Sequence, residues 1–140
     1  MTREMKLFVY GSLRENFFNY DIYLKGQVIE SQIGKIKGKL YHMPNKGYPA
    51  VIEGTDDVYG EIISIKNFHE NLEAMDKMEG FIGEGNPNNE YNRVVVDVEL
   101  VESGNIEQAY SYIYNLPHEE EFQTHSEYVP HGDWKKHMLK

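Results

Sequence analysis

The sequence predicts an α+β fold in which a strongly curved β-sheet carries one central helix and a few short helical segments. Three observations lead to this prediction. Apolar and polar residues alternate over 27–43 and 58–65, as they do in half-buried strands. Apolar residues recur about every fourth position over 67–79, which is helical spacing. Aromatic residues make up 13% of the chain, a share that suits the pleated surface of a sheet.

Strands dominate the N-terminal half. A β-branched and aromatic run predicts a first strand over 6–10, and the apolar residues within 16–24 are compatible with a short helix. Gly34 and Gly38 interrupt the alternation of 27–43, which indicates β-bulges that bend the sheet. The rest of this half is predicted as turns at 43–47 and 54–57 and strands at 48–53 and 58–65.

The C-terminal half begins with the central helix. We expect Asn67 to cap this helix, with Glu70 completing a capping box, and Gly80 to end it. The glycine, proline and asparagine content of 81–89 predicts a long ordered loop that could cover a neighbouring site. The remaining predictions are strands over 92–101 and 107–115, a turn at 103–105, and a final helical segment within 131–140 that packs Trp134 and Met138 on the body.

Size and composition limit the class of protein. A chain of 140 residues is predicted to form one domain, 1–140, with a single core. Fourteen Lys and Arg against 23 Asp and Glu give a net charge of −9, so neither nucleic acid nor a membrane is an expected partner. The absence of cysteine excludes thiol chemistry, and the expected location is cytoplasmic. The histidines lack zinc-motif spacing and the run 119–121 is interpreted as solvated, so no metal or other cofactor is expected.

The first candidate site is the junction Tyr10-Gly11-Ser12-Leu13, which follows the first predicted strand. Gly11 permits backbone angles that other residues resist, and the N–H groups of Gly11, Ser12 and Leu13 could turn inward to hold a carboxylate or an oxyanion. An ordinary tight turn has the same composition, so both interpretations stay open. Ser12 lacks the Gly-x-Ser-x-Gly surroundings of a hydrolase nucleophile, which disfavours a covalent serine mechanism.

Glu79 is the second candidate. It follows Leu72 by seven positions and Met75 by four, which places it on the apolar face of the helix. Burial and the negative end of the helix dipole both raise a carboxyl pKa toward neutral pH, where the group can take and return a proton. The alternative is structural: Glu79 pairs with Arg93 or caps nearby backbone. Asp76, by contrast, is predicted to be exposed.

Eight short motifs in chain order also carry a resemblance. They are Tyr10-Gly11-Ser12-Leu13-Arg14, Gly38-Lys39-Leu40-Tyr41, Gly47-Tyr48-Pro49-Ala50, Gly60-Glu61, Met75-Asp76-Lys77-Met78-Glu79-Gly80, Tyr91-Asn92-Arg93, Tyr112-Ile113-Tyr114 and Gly132-Asp133-Trp134. In this order they resemble the gamma-glutamylcyclotransferase-like family, also called AIG2-like. The joint occurrence of Tyr-Gly-Ser-Leu and a distant Glu-Gly is the specific part, whereas any single tyrosine or glycine match is weak.

The resemblance implies a small mixed β-barrel with a few short helices, and a reaction that needs no metal or cofactor. Family members cleave gamma-glutamyl amides: the α-amine of the substrate attacks its own γ-carbonyl, closes 5-oxoproline and expels an amine or amino acid. Carried over to this chain, Glu79 is the catalytic acid/base and Tyr10 to Leu13 bind the glutamyl head group. Tyr91 and Arg93 are expected beside the substrate, although Arg93 fits a structural ion pair equally, and Tyr128 is expected to close the pocket.

Two points stay open at this level. A non-catalytic module that binds a small carboxylate on the same fold is the alternative function, and the presence of Glu79 favours the enzyme. The bulky residues 15–20 replace the glycine and small polar residues of many relatives, so the identity of the gamma-glutamyl substrate does not carry over. A monomer and a homodimer are both compatible with the sequence.

Overall fold

The computed structural model describes residues 5–14, 17, 19–44, 46–115, 122 and 124–138. Its strands within these ranges are β1 (Lys6–Val9), β2 (Val28–Met43), β3 (Tyr48–Ile65), β4 (Tyr91–Leu100), β5 (Ile106–Tyr114) and β6 (Glu127–Tyr128). Its helices are α1 (Phe68–Met78), α2 (Trp134–Met138) and a short π-helix at Tyr20–Leu24. The predicted helix over 16–24 is therefore present in its second half, while 15, 16 and 18 lie outside the described residues.

The sheet closes on itself. Its strand order is β3-β1-β5-β4-β2-β6, and β2 also pairs with β3, so the first five strands of this order form a barrel. The β1–β5 pair is parallel and the other pairs are antiparallel, which makes the barrel mixed. The predicted strongly curved, mixed β-barrel with few helices is confirmed.

The long β2–β3 hairpin supplies much of the curvature. Its register runs from Val28 opposite Ile65 to Met43 opposite Tyr48, with irregularities after Val28 and after Gly38. The predicted bulge at Gly38 is confirmed, and the one at Gly34 is wrong, because Gly34 pairs with Gly60 in unbroken register. After Gly38, the partner position jumps from 56 to 52, so β3 holds extra residues that β2 does not match. Such bulges bend a strand without ending it. The predicted turn at 54–57 is therefore wrong: these residues belong to the continuous strand β3.

Helix α1 ends in a glycine cap that fixes the residue before it. Gly80 has φ +70°, its N–H donates to the Lys77 carbonyl, and the Phe81 N–H donates to the Asp76 carbonyl at 2.8 Å. This pair of bonds is the Schellman arrangement, which favours glycine at the left-handed position. The predicted helix end at Gly80 is confirmed, and Glu79 is held as the last residue before the turn.

Asn67 occupies the N-cap position of α1 as predicted, but the predicted capping box is wrong. Asn67 has φ 48° and ψ 50°, a left-handed conformation, and its side chain makes no hydrogen bond to the first turn of the helix. The Asn67 amide donates instead to Gln27 Oε1 at 3.2 Å, and Asn71 donates to the same oxygen. Asparagine tolerates left-handed angles better than most residues, so it serves the sharp entry from β3 rather than a capping box.

The C-terminal segment is locked to the barrel beside the Gly11 loop, which is the loop after β1 formed by Tyr10-Gly11-Ser12-Leu13. A Cβ on Gly132 would lie 1.8 Å from the Asp57 carbonyl oxygen, so only glycine permits this approach. Next to it, Asp133 Oδ1 accepts from Arg14 Nη1 at 3.0 Å, and Arg14 Nε donates to Glu61 Oε2 at 2.9 Å. Arg14 is 4% exposed, so this buried ion triad ties the loop after β1 to β3 and to the chain's end.

Two apolar clusters fill the molecule. The first lies under α1 and includes Leu7, Leu72 and Met75; the second includes Phe8, Val98 and Trp134. Trp134 is buried as predicted, whereas Met138, one turn later, is 41% exposed and does not pack into the body. The predicted solvated run at 119–121 lies outside the described residues. In the described part of the chain, we find no helix with the length and apolar character needed to cross a membrane.

Candidate active site

A cavity of about 270 Å³ opens at one end of the barrel. Five elements meet there: the ends of β1, β5 and α1 and the beginnings of β3 and β4. Six of the eight candidate site residues line this cavity together: Tyr10, Gly11, Ser12, Leu13, Glu79 and Tyr91. The other lining residues are Phe8, Val9, Asn19, Lys46, Tyr48, Pro49, Met78, Glu90 and Tyr112.

The loop after β1 is both a tight turn and a wall of the cavity. The Arg14 N–H donates to the Gly11 carbonyl at 2.9 Å, which closes the turn. The N–H groups of Ser12 and Leu13 donate to no acceptor among the described residues. A Cβ on Gly11 would lie 2.6 Å from Pro49 Cγ, so glycine is needed for β3 to pass this closely. The loop therefore presents two free N–H donors beside a close backbone crossing.

Ser12 is oriented by a residue that sequence reasoning missed. Asn19 Nδ2 donates to Ser12 Oγ at 2.7 Å, and it also approaches Met78 Sδ at 3.7 Å. Because the serine oxygen accepts this bond, its O–H remains available to donate into the cavity. No hydrogen bond in the described structure places a base beside Ser12 Oγ, in agreement with the disfavoured serine mechanism.

Glu79 lines the cavity and has no side-chain partner in the described part of the chain. It is the capping residue at the end of α1, and its N–H donates to the Met75 carbonyl at 2.8 Å. Its carboxylate makes no hydrogen bond or ion pair with the described residues, so the structural pairing with Arg93 considered above is absent. Water reaches Glu79 through the cavity mouth, which leaves the residue half-buried.

The surroundings of Glu79 favour its protonated form. Burial among protein atoms raises the pKa of Glu79 to about 8, and the nearby charge of Glu90 adds to this effect. A carboxyl with such a pKa can exchange a proton near neutral pH, which is the property required of a general acid/base.

Tyrosines form the rest of the wall around Glu79. Tyr10 Oη donates to the Tyr112 carbonyl, Tyr91 Oη donates to the Pro49 carbonyl at 2.6 Å, and Tyr112 Oη donates to Asp76 Oδ1 at 2.6 Å. Burial raises the pKa of each of the three hydroxyls, and the charge of Glu79 raises it further. These tyrosines therefore stay neutral and rigid, because their protons are committed to the protein.

Arg93 lies behind this wall and does not line the cavity. Arg93 Nη1 donates to Asp76 Oδ2, and its guanidinium lies over the rings of Phe81 and Tyr110 at 5.1 and 5.0 Å. The prediction that Asp76 is exposed is wrong, since its side chain is 19% exposed and receives both Arg93 and Tyr112. Arg93 thus supports Tyr112 through Asp76, which is the structural ion pair considered for it above.

Tyr128 is also away from the cavity. It is 44% exposed, and its hydroxyl donates to Asp56. Because it contacts no lining atom of the site, Tyr128→Phe is expected to leave the rate of product formation within about twofold of wild type. The free energy of unfolding should stay close to that of wild type, as for other exposed pairs. Steady-state kinetics and urea denaturation measure both, and a tenfold loss of activity would return Tyr128 to the site.

The predicted loop over 81–89 is ordered but does not cover the cavity. Asn89 organises it: its Oδ1 accepts from the Ile82 N–H at 2.6 Å, and its Nδ2 donates to the Gly83 carbonyl at 2.8 Å. None of the lining residues belongs to 81–89. The loop instead delivers Glu90, which is in the lining.

Three lining residues have no distinct signal in the sequence: Asn19, Lys46 and Glu90. Asn19 is a polar residue beside the aromatic Tyr20, which is a weak hint. Lys46 belongs to an ordinary turn, Glu90 follows a loop rich in asparagine, and Tyr48 entered only as part of the motif Gly47-Tyr48-Pro49-Ala50, with no role assigned. Their meeting depends on a barrel closure that brings positions about 40 residues apart into contact.

The mixed barrel with a small cavity at one end defines a class: a small enzyme that acts on a small molecule. The family described as "Gamma-glutamyl cyclotransferase, AIG2-like" matches residues 7–136. The chain belongs to this family, so the predicted family and the predicted cyclotransferase reaction on gamma-glutamyl compounds are both confirmed. The chain is also 31% identical over 134 residues to gamma-L-glutamyl-butirosin B gamma-glutamyl cyclotransferase of Niallia circulans, covering 96% of this chain and 78% of that protein.

Solved structures share the fold. YkqA of Bacillus subtilis is 26% identical with a TM-score of 0.66, and the match covers 98% of this chain. This chain spans only 42% of the length of YkqA. An AIG2-like protein of Mus musculus is 18% identical with a TM-score of 0.64, covering 85% of this chain and 82% of that protein. At that identity the mouse structure supports the fold alone.

Proposed function

We propose that this protein cleaves gamma-glutamyl amides by cyclising their glutamyl group, with Glu79 as the catalytic acid/base. The products are 5-oxoproline and an amine or amino acid. One observation carries the assignment of Glu79: its carboxyl has no partner among the described residues and faces the same cavity as the two free N–H groups of the Gly11 loop. The pKa of about 8 suits a group that must accept and return protons near neutral pH.

The proton balance of the reaction fits a single carboxyl. The α-ammonium of the substrate gives a proton to ionised Glu79, and the free amine attacks the γ-carbonyl carbon to close a five-membered ring. The bond from this carbon to the leaving nitrogen then breaks, while Glu79 protonates that nitrogen. Glu79 then takes the second proton from the ring nitrogen and passes it to the departed amine. Two protons thus leave the attacking nitrogen and two arrive on the departing one, so Glu79 ends each turnover as it began.

The Gly11 loop is proposed to hold the substrate. The Ser12 and Leu13 N–H groups and the Ser12 hydroxyl are donors suited to a carboxylate or to the oxyanion of the tetrahedral intermediate, with each oxyanion donor worth about 3–4 kcal/mol. Tyr10 and Tyr91 shape the walls. Because the nucleophile belongs to the substrate, much of the acceleration comes from folding the substrate into a ring-forming pose. Arg93 and Tyr128 receive no substrate contact in this proposal.

A substrate panel tests the proposed reaction. Wild-type protein is incubated with gamma-glutamyl amino acids, gamma-glutamyl amines and gamma-L-glutamyl-butirosin B, the compound in the name of the bacterial relative, and 5-oxoproline is followed by mass spectrometry. We expect 5-oxoproline and free leaving group in equal amounts from at least one compound. Ligand binding without turnover across the panel would overturn the proposal and leave the non-catalytic carboxylate-binding module.

The rate should depend on pH through Glu79. Below a pH of about 8 the free enzyme holds Glu79 protonated, so kcat/KM is expected to rise with pH and level off near that value. Once the substrate's ammonium group is bound beside it, the ionised carboxylate is favoured, so kcat should level off at lower pH. Initial rates measured from about pH 5.5 to 9.5 give the pH dependence of kcat/KM and of kcat. A kcat/KM that is flat or falling across this range would contradict the role of Glu79.

The partners, the cellular location and the oligomeric state of the protein also remain proposals. The net charge of −9 supports a small-molecule substrate rather than a nucleic acid partner. The cytoplasmic location and the choice between monomer and homodimer stay predictions from the sequence. Light scattering after size-exclusion chromatography decides the oligomeric state.

A further inference from the structure

Glu90 is a second carboxylate in the wall of the cavity, and the proposed reaction does not use it. Its N–H donates to the Gly80 carbonyl at 3.0 Å, which ties it to the residue directly after Glu79. A Cβ on Gly80 would lie 3.0 Å from Glu90 Cβ and 3.6 Å from Glu90 Oε1. The glycine that ends α1 therefore lets Glu90 pack against the end of the helix, close to the candidate acid/base.

The carboxylate of Glu90 is fixed from its other side. Tyr48 Oη donates to Glu90 Oε2 at 2.7 Å, and Lys46 Nζ contacts the same oxygen at 2.5 Å. Lys46 also lies over the ring of Tyr48, 5.8 Å from its centroid. All three side chains line the cavity. Glu90 is therefore a held, partly neutralised negative charge, while Glu79 has no hydrogen-bond or ion-pair partner among the described residues.

Glu90 is the charged group that acts most directly on Glu79. The titratable groups that face Glu79 from the surrounding elements are Tyr10, Tyr48, Glu90, Tyr91 and Tyr112, with Lys46 behind Glu90. The four tyrosines are neutral, because burial raises the pKa of each above its ordinary range. Asp76 and Arg93 are bound to each other behind Tyr112.

We propose that Glu90, held by Lys46 and Tyr48, is a positioning residue that keeps the proton on Glu79 until the cationic head group of a substrate enters the cavity. This inference rests on the proposed acid/base role of Glu79. Two carboxylates that share one small cavity disfavour a second negative charge, and the α-ammonium of a gamma-glutamyl compound removes that penalty on arrival. When the substrate binds, Glu79 therefore releases its proton to solvent, and the resulting carboxylate accepts a proton from the ammonium group.

The arrangement predicts opposite effects for two neighbouring variants. Glu90→Gln removes the negative charge and should move the titration of Glu79 to lower pH by about half to one pH unit. Lys46→Met removes the cation that offsets Glu90 and should move the titration of Glu79 to higher pH. At about pH 6, the fraction of maximal kcat/KM should rise about three- to tenfold in the first variant and fall in the second. Glu84→Gln is the matched control, since Glu84 is exposed and does not line the cavity. It should change neither the titration of Glu79 nor the fraction of maximal kcat/KM.

Carbon-13 NMR of carboxyl-labelled glutamate measures the titration directly. The Glu79 signal is assigned by its absence in Glu79→Gln, and it is followed in wild type, Glu90→Gln, Lys46→Met and Glu84→Gln. Shifts of opposite sign in the two cavity variants support the proposal. An unchanged Glu79 titration in both overturns it, and so does a Glu90→Gln effect confined to KM, which would make Glu90 a substrate contact only.

Failure of this inference is distinguishable from failure of the proposed function. The NMR titration needs no substrate, so it reports on Glu90 even if wild type turns over none of the panel. Tyr48→Phe provides a second test if Glu90→Gln does not fold. This variant removes the hydrogen bond that holds the Glu90 carboxylate, without changing the number of charged side chains. It should shift the titration of Glu79. No change in that variant, where Glu90→Gln is unfolded, counts against the proposal.

Discussion

Glu79→Gln is expected to lower the rate of 5-oxoproline formation by about 10²- to 10⁴-fold, because glutamine can neither accept nor return the protons of the cyclisation. The cavity keeps its volume, since the two side chains have nearly the same shape. Substrate affinity should therefore change much less than kcat. Rates are measured by mass spectrometry at saturating substrate and compared with wild type.

Glu73→Gln is the matched control for this variant. Glu73 belongs to the same helix, but it is exposed and its only described ion pair is the 3.8 Å contact with Lys77. We expect its activity to stay within about twofold of wild type. If Glu79→Gln keeps more than a tenth of the wild-type rate, Glu79 is not the proton carrier and the proposed mechanism fails.

Glu79→Gln should also be more stable than wild type at alkaline pH. The pKa of Glu79 is about 8 in the folded protein and 4.5 ordinarily, so between these values the folded state holds a proton that the unfolded chain has lost. The contribution of this group to stability is full below about pH 4.5 and is lost as pH rises through 8. Allowing for water in the cavity, this loss is on the order of 1–3 kcal/mol. The difference in melting temperature between Glu79→Gln and wild type should therefore grow from pH 5 to 9.

Arg14→Met is expected to destabilise the fold by about 3–5 kcal/mol. The substitution removes the cation between Glu61 and Asp133 and leaves two carboxylates in a buried site with no compensating charge. Because Arg14 follows the Gly11 loop directly, the loop should also lose its anchor to β3 and to the C-terminal segment. Urea denaturation measures the free energy of unfolding, and the rate of product formation reports the disturbed loop.

Two further variants show whether the lost charge balance is the cause. Lys77→Met breaks only the exposed pair with Glu73 and should cost less than about 0.5 kcal/mol. Adding Glu61→Gln and Asp133→Asn to Arg14→Met removes both stranded charges and should recover part of the lost stability. A cost near that of Lys77→Met for the single Arg14 variant would show that the triad is not a structural anchor.

Local patterns were sufficient for most elements of the fold. The alternation in β2 and the glycine bulges predicted a curved sheet, and helical spacing placed Leu72, Met75 and Glu79 on one face of α1. The same patterns misjudged 54–57, because turn-forming residues also build a bulge when the strand continues on both sides. They placed the N-cap at Asn67 correctly but wrongly predicted a capping box there, because a capping side chain and a left-handed entry both favour asparagine.

The sequence by itself determined the curved sheet, the central helix, the acid on its apolar face and the glycine loop, since each depends on neighbours within a few positions. Only the tertiary structure decided how the charged groups pair. Arg93 binds Asp76 rather than Glu79, Arg14 is shared by Glu61 and Asp133, and Glu90 is held by residues more than 40 positions away. Pairing follows from distance in space and from the desolvation that burial imposes, and both arise only when the barrel closes.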